Sequence, residues 1–183
     1  MLKQCALPFV FLCLAAILQT GVAQGQDDVA TADDYLNYLN PYFPGKWTLE
    51  VISPDGKVAA QGTMEFQLKA GQRCGVSIGE GEDSAIVSSA IHGYDPSTRS
   101  WRVLQFSADG SMLEMKVTID KDVLTAGKYK NVTYTHRNTL TKPDGTKEVS
   151  RWEATIVNRR RFELQQISGP PEQQTTMQFT RQQ

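Results

Sequence analysis

The sequence predicts an all-β protein, a single antiparallel meander of about ten strands closed into a barrel, with one short helix ahead of it. Apolar and polar residues alternate in short runs from Trp47 onward, and turn signals recur at roughly the 8 to 12 residue spacing of all-β sandwiches and barrels. After Leu39 no stretch holds a helical period for a dozen residues. A sheet of that many strands leaves two edges of unpaired backbone groups when open, whereas closure removes both and encloses an apolar interior. No linker or shift in composition divides residues 33 to 179, so residues 33–183 read as one domain.

The N-terminal residues carry an export signal. Lys3 gives a minimal positive start, Leu7 to Leu18 form an apolar stretch too short to span a bilayer, and Gly21-Val22-Ala23 puts small residues at a cleavage position. Residues 1–23 are thus expected to be removed, leaving an exported chain, periplasmic or secreted, with no membrane span. Cys13 lies inside the apolar stretch after Phe11-Leu12 and is not a lipidation site. Residues 24–32 are small and polar and read as a flexible leader. Thr31 then precedes acids at Asp33 and Asp34 and apolar residues Tyr35, Leu36, Tyr38 and Leu39, the pattern of a capped helix that ends before Pro41.

The strands follow in order. Trp47, Leu49 and Val51 form one face, and Ser53-Pro54-Asp55-Gly56 turns the chain into Met64, Phe66 and Leu68. Cys74, Val76 and Ile78 read as the inward set of the next strand, and Gly79 to Asp83 as a loop. A strand from Ser84 to Tyr94 meets the Asp95 to Thr98 turn and leads into Trp101 and Val103. Leu113, Met115, Val117 and Ile119 alternate cleanly with Glu114, Lys116 and Thr118. A run near Val123 to Ala126 ends at Gly127. Long strands are expected from Tyr129 to Thr141 and from Thr146 to Val157, then short ones around Phe162 and Leu164 and around Met177 and Phe179.

Composition excludes more than it assigns. Loss of Lys3 leaves 18 basic against 20 acidic residues, a net charge of −2, which offers nothing to a nucleic-acid backbone or an anionic membrane. Arg159-Arg160-Arg161 reads as a solvated turn. Of the three cysteines only Cys74 survives processing, so no intrachain disulfide forms, and its place among apolar neighbours marks an inert thiol. One cysteine and two distant histidines do not make a zinc site, and the acidic Glu80, Glu82, Asp83 segment lacks a calcium-loop pattern, so no metal and no cofactor is expected.

Gly45-Lys46-Trp47 after a short helix resembles the Gly-x-Trp entrance of lipocalin-like calycin barrels, and His92 to Trp101 resembles a hairpin of an exported bacterial domain-of-unknown-function family with such a barrel. The resemblance implies that Trp47 plugs one barrel end and that an arginine late in the chain, Arg161 or Arg181, stacks on it.

Chemistry concentrates on one strand. Val132, Tyr134, His136, Asn138 and Leu140 share a face, and the following strand brings Ser150 and Trp152. Tyr134, His136, Asn138, Ser150 and Trp152 are therefore the candidate lining of an interior site for a small, partly apolar ligand. The alternatives are a hydrogen-bonded core histidine in a barrel filled by its own side chains, acting as a structural or interaction module, and an enzyme using His136 as a base with Glu148 as partner. No nucleophile motif points to a catalytic residue, and His92 reads as a surface or turn residue. The packing of Trp47, Phe66, Trp101, Trp152 and Phe162 decides between a filled and a hollow barrel.

Overall fold

The computed structural model describes residues 29–69, 71, 73–82 and 85–183. The export signal of residues 1–23 lies outside them. Helix α1 (Ala32–Leu39) is followed by β1 (Gly45–Ile52), β2 (Val58–Lys69), β3 (Cys74–Gly81), β4 (Ile86–Asp95), β5 (Ser100–Ser107) and β6 (Met112–Thr118). Helix α2 (Lys121–Ala126) leads to β7 (Val132–Thr141), β8 (Lys147–Asn158) and β9 (Arg161–Gln166), and a short 3-10 turn (Pro171–Gln173) to β10 (Thr176–Arg181). Each strand pairs antiparallel with its neighbour in sequence, and β10 returns to β1 from Trp47↔Arg181 to Ile52↔Thr176, closing a ten-stranded barrel.

Helix α1 forms because its start is capped twice. The Thr31 hydroxyl accepts from Asp34 N–H at 3.3 Å, and Thr31 N–H donates to the Asp34 carboxylate at 2.8 Å. Those hydrogen bonds to Thr31, the backbone one first, hold the Asp34 carboxyl below its ordinary range. The helix buries Tyr35, Leu36, Tyr38 and Leu39 against one barrel end. The folded unit begins ahead of it, because Ala30 is buried and its carbonyl accepts from the Tyr94 hydroxyl at 3.2 Å. The last residues of the expected leader are thus tied to the barrel.

Tyrosine hydroxyls fasten this end. Tyr38 donates to Lys128 C=O at 2.8 Å, Tyr129 to Tyr38 C=O at 2.7 Å, and Tyr42 to Asn158 C=O at 2.8 Å, while Tyr35 accepts from Ile119 N–H at 3.0 Å. Each such bond contributes about 1 kcal/mol net, and the one to Ile119 N–H supplies a buried backbone group with its partner. Burial pushes the Tyr38 hydroxyl up to about 12, so it remains a donor at any ordinary pH. Trp47, fully buried beneath α1, donates its indole N–H to Phe43 C=O at 2.8 Å. The guanidinium of Arg181 lies 4.5 Å over its ring and donates to Pro44 C=O at 2.7 Å. Arg161 instead pairs with Glu163 along its own strand.

Two local expectations fail. The run at 123–126 belongs to α2, ended by Gly127 in the left-handed region at φ 59°, where glycine carries no Cβ penalty. The larger correction concerns β3. Its register with β2 (Met64↔Gly79, Phe66↔Ser77, Leu68↔Gly75) turns Gly75, Ser77, Gly79 and Gly81 inward and Cys74, Val76 and Ile78 outward. Gly79 to Gly81 are strand, not loop, and Ile78 is 37% exposed. The apolar alternation is real but faces outward, because Trp47 fixes the inner face of β1 and pairing transmits that parity around the barrel.

Candidate functional site

The parity set by Trp47 assigns every wall its inner residues. Pairing carries it through His92↔Val103, Val103↔Met115, Met115↔Asn138 and Asn138↔Ser150, and one row over through Trp101↔Val117, Val117↔His136 and His136↔Trp152. The five rings that decide between a filled and a hollow barrel do not fill it. Trp47 and Phe162 meet edge to face at 5.0 Å and Phe162 stacks on Phe179 at 4.2 Å, gathered beside Tyr42 and Phe43, which follow α1. Above this floor stands a cavity of about 1000 Å³, at the upper end of the roughly 300–1,000 Å³ usual for small-molecule sites.

The cavity exists because one wall has almost no side chains. Gly75 and Ser77 line it from β3, opposite the larger Met115, Tyr134 and Leu164. Gly79 beside them leaves room for the Ser88 hydroxyl, which would have to rotate away from a Cβ placed there at 2.5 Å. The lining runs from Leu39, Phe43 and Pro44 beside α1 to the far end, where the turns β1–β2, β5–β6 and β7–β8 lie and where Ser88, Ser107, Glu148, Gln166 and Ser168 reach it.

Three groups of polar side chains on the wall are joined by hydrogen bonds or aim into it. On β7, His136 is 6% exposed and its Nδ1 lies 3.0 Å from Asn138 Oδ1. An amide oxygen only accepts, so with the amide so oriented the proton is on Nδ1 and Nε2 carries a lone pair. That Nε2 is the one buried side-chain polar atom without a partner among the described residues. Burial lowers the His136 ring below its ordinary range against the smaller, opposite effect of the Asn138 bond, so it stays neutral. On β8, Trp152 donates its indole N–H to Ser150 Oγ at 2.9 Å. Tyr134 lies deeper, and burial raises its hydroxyl far above the usual phenol range. The five candidate residues of β7 and β8 therefore lie on the cavity wall together.

The third group is one the sequence reading misplaced. His92 faces inward from β4, with Nε2 2.8 Å from Ser77 Oγ and its ring 5.7 Å from that of Phe66, edge to face. Burial drops it to about 4, so it too is neutral. Position 92 has the parity of Ala90 and Ser88, both small, and no apolar periodicity in the sequence marks that face as inner. Glu148 does not reach His136. It pairs with Lys142 across the β7–β8 turn. Among the described residues no group of three or more His, Cys, Asp or Glu is placed to hold a metal ion, and no helix is long and apolar enough to cross a membrane.

No protein-family model and no curated protein matches this chain. Among solved structures it is similar to a de novo designed fluorescence-activating β-barrel, at 22% identity over 79% of this chain and 98% of that one, with a TM-score of 0.31. It is also similar to a redesigned β-barrel (16% identity, 85% and 99% covered, TM-score 0.34) and to EF1p2_mFAP2b bound to DFHBI (14% identity, 80% and 99% covered, TM-score 0.39). What the interior of the present barrel holds has to be read from its own walls.

Proposed function

We propose that this chain is an exported, calycin-like carrier that holds a small, partly apolar ligand inside its barrel, with Tyr134, His136, Asn138, Ser150 and Trp152 among the contacts. The observation that carries the reading is the cavity of about 1000 Å³ left after the aromatic rings have packed. A barrel acting only as a scaffold gains nothing from such a void, since each unfilled volume forfeits dispersion contacts and burial energy. Export, to the periplasm or beyond, is supported by the Lys3, Leu7 to Leu18 and Gly21-Val22-Ala23 pattern.

The test is a titration of the mature chain, starting at Gln24, with the uncharged fluorophore N-phenyl-1-naphthylamine. One saturable site per chain is expected, together with a rise in thermal midpoint, because a ligand at 100 times its Kd stabilises by about 2.7 kcal/mol. Gly75→Leu points a side chain into the cavity from a position with negative φ and no Cβ contact closer than 3.4 Å. It is expected to weaken binding at least tenfold while the fold is kept. Binding that is unsaturable, or indifferent to Gly75→Leu in a folded variant, sinks the carrier reading.

A further inference from the structure

We infer that the interior selects an uncharged ligand, a long-chain alcohol or comparable hydroxylated hydrocarbon, and rejects carboxylate and phosphate head groups. The inference rests on the carrier reading and narrows its ligand class. Its ground is what the wall lacks: among the described residues lining the cavity there is no lysine and no arginine. The one ionisable acid there, Glu148, is taken up by Lys142 at the turn. The half-buried guanidinium of Arg181 is spent on Trp47 and Pro44 beneath the floor.

A buried carboxylate loses its hydration and needs a cation or several donors in return. No cation is present for that task, and three of the polar groups that could help are already engaged. Trp152 gives its N–H to Ser150, the His136 proton goes to Asn138, and His92 is bound to Ser77. Neither imidazole supplies positive charge near neutral pH, because burial favours the neutral ring in both. Besides neutral hydroxyls and amides such as those of Tyr134 and Gln105, the wall offers an acceptor, the lone pair of His136 Nε2, which has no protein partner. An acceptor attracts a hydroxyl proton and repels the lone pairs of an anion. The atom is closed off from a water-sized sphere by its neighbours, so a hydroxyl reaches it by displacing lining side chains slightly. Selection against anions comes from the absent cation and does not depend on that contact.

The experiment is displacement of N-phenyl-1-naphthylamine from the mature chain at pH 8 by 1-dodecanol and by dodecanoate, which share a tail and differ in head group. Dodecanol is expected to compete at least thirtyfold better, a difference of about 2 kcal/mol. Gln105→Arg places a guanidinium on the inner face of β5 and is expected to reverse the order, and Ser107→Arg does the same nearer the β5–β6 turn if the first variant does not fold. Dodecanoate competing as well as dodecanol in the wild type overturns the inference and leaves the carrier reading intact. So does displacement by neither while the fluorophore binds saturably. Failure of the fluorophore itself to bind is the separate result that removes the carrier reading.

Discussion

The two inward histidines make the barrel sensitive to mild acid, and His92 gives the effect a size. Its ring faces the cavity, and burial lowers it from 6.5 to about 4. The unfolded chain therefore takes up a proton at His92 as pH falls below 6.5, while the folded chain resists until about pH 4. Through that window the unfolded state binds more protons, so stability drops as pH drops. The contribution is fully present above pH 6.5 and fully lost below pH 4. Between pH 7.5 and pH 5 the loss from this group is about 2 kcal/mol, with a limit of about 3 kcal/mol. His136 acts in the same direction.

The assay is urea unfolding followed by tryptophan fluorescence at half-unit steps from pH 8 to pH 4.5, on the wild type and on His92→Gln, which cannot titrate and can still reach Ser77. The variant is expected to lose about 2 kcal/mol less than the wild type between pH 7.5 and pH 5. Carboxylates do not confuse the result. Those held low by turn hydroxyls and amides, such as Asp95 at about 2 through Ser97 and Thr98, begin to matter only as pH falls below their ordinary value of 3.8. Parallel stability curves for the two proteins from pH 7.5 to pH 5 would refute the placement of His92 as a buried neutral ring.

Two further outcomes follow from the packing. Trp47→Ala removes the ring that Tyr42, Phe162 and Arg181 all rest on, and a loss of about 3–5 kcal/mol is expected in chemical denaturation; a loss under 1 kcal/mol would mean that the floor is held without it. Asn138→Leu strands the His136 Nδ1 proton and is expected to cost about 1–3 kcal/mol. The double variant with His136→Phe is expected to recover part of that cost. A double-mutant cycle that closes with no coupling would rule out the bond between the two side chains.

Much of the architecture was legible because local rules and closure agree. The Thr31 cap, the stop before Pro41, the alternation of Leu113, Met115 and Val117 and the turn at Pro54-Asp55-Gly56 sit where the sequence places them, while Ile119, expected to continue that strand, lies just past its end. The lining contributed by β7 and β8 was legible too, because Val132 and Leu140 bracket the polar residues and reveal their parity. Helix α2 was not, since six residues are too few to establish a period, and only Gly127 marks its end. His92 was missed for a different reason: its parity depends on β3 and β4, whose inner faces carry no apolar signature.

That last failure follows from the barrel being hollow. Reading inward parity from apolarity assumes that the interior is filled by the chain's own side chains, so that the larger hydrophobic set must point in. Around a cavity the assumption reverses, because the wall that makes room must present small residues inward, and its β-branched residues are left for the outside. Gly75, Ser77 and Gly79 face in while Val76 and Ile78 face out; on β4, Ser88 and Ala90 face in while Ile91 is 59% exposed. Strand propensity keeps Val and Ile in these segments whichever side they occupy. A strand whose hydrophobic face disagrees with the parity imposed by its neighbours thus locates the empty side of the barrel, and here it locates it at β3 and β4, across the interior from His136.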